Sequence, residues 1–152
     1  VIRHTWRQVR VSLVREGAPA RFDGLLAMSS CENAAGLARA VIGDDPREHF
    51  LAIYLDTRHK AIGVHVVSIG TADVSLVHPR EVFGPALILH ATAIVVVHNH
   101  PSGDPCPSAE DKRLTERLRE AGVLLGIELL DHVVLGSARF FSFADEGYKV
   151  MP

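Results

Sequence analysis

The chain has 152 residues, 47% of them hydrophobic, which suits one domain with a true core and is short for two. Lys and Arg number 16 against 18 Asp and Glu, a net charge of -2 with no basic stripe, which argues against a non-specific nucleic-acid binder. Cys31 and Cys106 are the only cysteines, no run approaches the roughly 18 apolar residues of a membrane helix, and no signal peptide is read at the head. The expectation is therefore a cytoplasmic domain with no membrane partner and no disulfide framework.

Residues 7–14 alternate polar and apolar side chains, as a half-buried strand does, and Gly17-Ala18-Pro19 breaks the run. Residues 32–42 are alanine-rich and predict a helix that stops at Gly43, before the turn Asp44-Asp45-Pro46. Residues 50–55 form a continuous apolar run, expected of a strand covered on both faces. A polar connection over 56–60 leads to a second strand over 61–69, so the two read as a hairpin closed by Gly70-Thr71. Pro79 suits the first position of a helix that Gly84-Pro85 should weaken or kink.

Residues 92–97 are strongly β-branched and predict a buried strand whose end delivers His98. Residues 108–124 then place Leu114, Leu118, Ala121 and the adjoining Leu125 on one helical stripe, with charges opposite. Closing strands are expected over 127–135 and 140–143. Strands and helices alternate without internal repeats, which gives an α/β or α+β class with a mixed sheet.

The chemistry gathers around His98-Asn99-His100. Side chains two apart on a strand face the same way, so both imidazoles can reach one ion. The turn-rich loop 101–107 can carry the chain back so that Asp111, on the next helix, supplies a third ligand. Two histidines and one carboxylate leave the fourth zinc position open, as in catalytic sites. A plainer reading competes: a His-x-His pair often holds nothing, and Ser108-Ala109-Glu110-Asp111 is also the signature of a capped helix N-terminus. The contiguous letters His-Asn-His do not meet the spread-out pattern of an HNH nuclease. Pro105-Cys106 lacks the second cysteine of a zinc deaminase.

His98-x-His100, seven residues, Ser108, two residues and Asp111 together resemble the JAB/JAMM (MPN+) metallopeptidases. The string from His98 to Pro105, with residues 77–83 before it and 130–136 after, is similar to the RadC branch of that group, and the likeness runs over 48–148, two thirds of the chain. The resemblance implies a layered, cytidine-deaminase-like fold with a mixed sheet flanked by helices. It divides the chain into an extension over 1–45, packed on the same domain, and a RadC-like domain over 46–152. Full-length RadC proteins resemble a helix-hairpin-helix module joined to this domain; the first 45 residues are too short and too differently patterned to contain one.

By the same resemblance, His98, His100 and Asp111 hold Zn2+, and Glu48, at the head of the strand over 50–55, accepts a proton from the water it activates. Ser108 donates to the developing oxyanion. Glu81 is the rival base, but a first helical turn already accounts for it. His65 reads as an outward or half-buried strand residue, His132 is left without a role, and Cys106 reads as a small semi-buried side chain where the family has threonine. The implied activity is hydrolysis of an amide or isopeptide bond in a protein or peptide substrate. A RadC-like DNA-repair accessory and a non-catalytic JAB interaction module are the alternatives.

Overall fold

A computed structural model describes residues 27–70 and 77–147. The strand expected over 7–14 lies outside the described residues. Eight elements follow in order: α1 (Cys31–Ile42), β1 (Glu48–Leu55), β2 (Ala61–Gly70), α2 (Pro79–Ile88), β3 (Ala93–Asn99), α3 (Ala109–Leu125), β4 (Glu128–Leu135) and β5 (Phe140–Ser142). The five strands form one mixed sheet in the order β2-β1-β3-β4-β5. β1 pairs antiparallel with both β2 and β3, and β5 pairs antiparallel with β4. β3 and β4 run parallel, so α3 must carry the chain back the length of the sheet between them.

The central strands are buried on both faces because alternate side chains feed two separate cores. Leu51, Ile53 and Leu55 of β1, with Val95 and Val97 of β3, pack under Ala34, Ala35, Leu37 and Ala38 of α1. Phe50, Ala52 and Tyr54, with Ile94 and Val96, pack against Val82, Phe83 and Ala86 of α2 and Leu118 of α3. This makes three layers, with one helix on one face and two on the other. Tyr54, buried at its phenol, donates to the carbonyl of Val82, which ties β1 to α2 at 3.1 Å.

α2 runs through Gly84-Pro85 to Ile88, with Val82, Phe83 and Ala86 anchored in the core and the Leu89 amide reaching the Pro85 carbonyl at 2.9 Å. One local expectation is corrected. Leu114, Leu118 and Ala121 face the core of their layer, but Leu125 is 40% exposed, beside Val123 and Leu124. The stripe breaks in the last turn because the chain must leave the helix there. Gly126 adopts a left-handed φ of 69°, and the Ile127 amide folds back onto the Gly122 carbonyl at 2.9 Å. A Cβ at Gly122 would stand 2.4 Å from the Ile127 carbonyl oxygen, so the reversal also demands a glycine there.

Candidate metal centre

β3 ends at the edge where its two neighbours are still paired with it: Phe50 of β1 and Val134 of β4 flank His98. His98 is 1% exposed, and the sheet continues past it, since the His100 amide donates to the Leu135 carbonyl at 2.9 Å. The chain then turns at Gly103, whose φ of 83° is left-handed and whose carbonyl oxygen accepts from the Ser137 amide at 3.0 Å. That oxygen would lie 2.5 Å from a Cβ on Gly136, so the loop is seated directly on the turn after β4. This packing returns the chain to α3 over the end of β3.

α3 opens on a capping box. The Asp111 amide donates to Ser108 Oγ at 3.1 Å, while the Ser108 amide and hydroxyl both donate to Asp111 Oδ2 at 2.7 Å. The cap thus holds the carboxylate on the first turn, facing β3. Asp111 Oδ1 lies 3.2 Å from His98 Nε2, Oδ2 lies 3.4 Å from His100 Nε2, and the two Nε2 atoms are 3.0 Å apart. One ligand atom from each of the three residues falls within 4.8 Å of the others, so the group can hold a metal ion. The chemistry of the donors fits one: two imidazole nitrogens and a carboxylate converge.

The outward nitrogens bear on which atoms are offered. His100 Nδ1 lies 2.7 Å from the Asp104 carbonyl, which can only accept, so Nδ1 carries the proton and Nε2 is directed to the centre. The Asp111 carboxylate beside it, and to a smaller extent Glu48, raise the His100 pKa against the effect of burial. Burial alone would raise Asp111, but its interactions with His100 and His98 outweigh that and hold the carboxyl far below the usual carboxylate range.

Glu48 stands at the head of β1, half-buried, two residues before the Phe50 that faces His98. Its flanking backbone is clamped from the metal strand: Asn99 Oδ1 accepts from the His49 amide at 2.7 Å, and Asn99 Nδ2 donates to the Arg47 carbonyl at 3.0 Å. The middle residue of His98-Asn99-His100 therefore points away from the two imidazoles and fixes the strand that carries Glu48. The other sequence candidates are not drawn in. Glu81 is exposed on α2 and pairs with Arg80 at 3.0 Å, and His65 is exposed on β2, which β1 separates from β3. Cys106 is exposed rather than semi-buried, and it is absent from the metal-competent group found among the described residues.

Two residues to which sequence reasoning gave no role stand directly behind the centre. His132 of β4 is fully buried; its Nε2 lies 2.8 Å from His98 Nδ1 and its Nδ1 lies 2.6 Å from Thr115 Oγ1. Burial pushes the His132 pKa well below the ordinary imidazole value, so the ring is neutral. The adjacent letters Asp131-His132 were the available signal, but only the β3–β4 register, with Val96 opposite His132, brings that ring to His98.

The layered α+β fold, together with two histidines and a carboxylate that can hold a metal, defines a domain of the JAB/MPN class. The sequence family that matches residues 28–148 is described as the RadC-like JAB domain, and this chain belongs to it. Among curated relatives, a UPF0758 protein of Methanosarcina mazei is 46% identical over 121 residues, covering 80% of this chain and 53% of the relative. A UPF0758 protein of Bacillus licheniformis is 52% identical over 102 residues, covering 67% of this chain and 46% of the relative. The chain thus spans about half the length of these relatives. Among the described residues, no helix is long and apolar enough to cross a membrane.

Proposed function

We propose that this domain is a zinc-dependent hydrolase that cleaves an amide or isopeptide bond in a protein or peptide substrate. The observation that carries the reading is the convergence of His98, His100 and Asp111 beside the strand end that presents Glu48. His98, His100 and Asp111 would hold Zn2+, which would supply a Lewis acid there. Zinc suits two imidazoles and one carboxylate in a protein-walled site, whereas magnesium and calcium favour all-oxygen sites.

The remaining work falls to the chain. Glu48, held by the Asn99 clamp beside the centre, accepts the proton of the attacking water and returns it to the leaving amine. Ser108 has one hydroxyl proton, and that proton is directed to Asp111 Oδ2. To donate to a developing oxyanion the hydroxyl must rotate away, and the Ser108 amide, already on the same oxygen, keeps Asp111 in place while it does.

The test is zinc stoichiometry by elemental analysis, followed by cleavage assays on a panel of peptide and isopeptide-linked substrates with Glu48→Gln as control. One zinc per chain and a wild-type activity lost in Glu48→Gln are expected. A wild-type protein that takes up no zinc, or an Asp111→Ala variant that binds it equally well, overturns the reading.

A further inference from the structure

We infer that His132 is the positioning residue that presents His98 Nε2 to the metal, and that Thr115 sets which ring nitrogen of His132 does so. The inference rests on the metal-centre reading above and adds to it a buried relay that no ligand motif contains.

The polarity of three hydrogen bonds leaves one arrangement. Thr115 Oγ1 lies 2.6 Å from the Asp111 backbone carbonyl, an acceptor only, so the single hydroxyl proton is donated there. The same oxygen then has only lone pairs for His132, and the 2.6 Å contact requires the proton on His132 Nδ1. His132 is fully buried and no carboxylate is among its side-chain hydrogen-bond partners, so its ring holds one proton; with that proton on Nδ1, Nε2 is bare and accepts from His98 Nδ1 at 2.8 Å. His98 is thereby left with its lone pair on Nε2, the atom 3.2 Å from Asp111 Oδ1.

The relay closes on itself. It starts at His98 on β3, passes through His132 on β4 and Thr115 on α3, and ends on the backbone of a second proposed ligand, Asp111. The rings cannot swing out of it. Phe50 stacks on His98 at 5.9 Å and 16°, and Phe143 stacks on His132 at 5.1 Å and 9°. No buried side-chain nitrogen or oxygen among the described residues lacks a partner. Outer partners of this kind fix the tautomer of a ligating histidine, and losing one typically weakens metal binding about 10- to 100-fold.

The experiment measures zinc affinity by chelator competition for wild type, Thr115→Val, Thr115→Ser and His132→Gln, with thermal melts of each metal-free protein. Thr115→Val keeps the side-chain shape and removes the hydroxyl; its zinc Kd should rise about tenfold. Thr115→Ser should return to within about twofold of wild type, and His132→Gln should lose about 100-fold. Long-range 15N spectra of the zinc-loaded wild type should show the His132 proton on Nδ1, a signature that a merely space-filling ring need not give. Wild-type zinc affinity in Thr115→Val, or the His132 proton on Nε2, overturns the inference while leaving the zinc reading intact. Wild type that binds no zinc overturns both.

Discussion

Asp111 and Asp131 are two carboxylates set against the same sheet, and burial pushes both upward in pKa; what faces them decides the outcome. Asp111, on the α2–α3 side, meets His98 and His100, and these hold it far below the usual range. Asp131, 7% exposed, accepts from neutral donors, Ser142 Oγ at 2.6 Å, the His132 amide at 2.7 Å and the Ala144 amide at 3.0 Å, and feels the like charge of Asp145. Its pKa stays raised, because burial outweighs those hydrogen bonds. Asp111 belongs to a group that can hold a metal ion, and Asp131 is a knot that ties β5 and the following turn to β4.

The contrast is broken most directly at Asp111. Asp111→Ala should weaken zinc binding by more than the roughly 100-fold expected for an outer partner. In the metal-free variant, the His100 pKa should also fall, since Asp111 is the main group raising it; NMR titration reads this. Asp131→Ala should do the reverse. Stranding the Ser142, His132 and Ala144 donors costs on the order of 3 kcal/mol of stability in denaturant unfolding, with zinc affinity changed far less than by Asp111→Ala.

Smaller effects sharpen the comparison. Ser108→Ala removes the cap of α3 and should cost about 1 kcal/mol, with a modest loss of zinc affinity because the Ser108 amide still holds Asp111. Asn99→Ala should speed hydrogen exchange at the His49 amide, which loses its side-chain acceptor, without removing a zinc ligand. The pH dependence separates the carboxylates last. A raised Asp131 pKa means that its contribution is present below the ordinary carboxylate value and is lost as pH rises through the folded value. Thermal melts should therefore shift in favour of Asp131→Asn, relative to wild type, as pH climbs through that window.

Much of this was legible along the chain. The apolar run at 50–55, the β-branched run ending at His98 and the helix begun by Ser108 each declare themselves through local period and capping chemistry, and each element appears within a residue or two of expectation. The spacing of His98, His100 and Asp111 was likewise readable, because two ligands on one strand face and one in a capped first turn are local arrangements. Leu125 was misread because a 3.6-residue period carries no information about where the sheet beneath a helix stops.

The sequence by itself determined the elements, the two-faced burial of β1 and β3, and the His98-x-His100 and Ser108-x-x-Asp111 sets. Only the tertiary structure decided that Asn99 clamps the backbone around Glu48, and that His132 and Thr115 join β4 and α3 behind His98. These links depend on strand order and register between segments far apart in the chain, which hydrophobic period does not specify. Asp111 and Asp131 make the same point: as sequence they are alike, and the imidazoles packed against one and the burial of the other shift their pKa values in opposite directions.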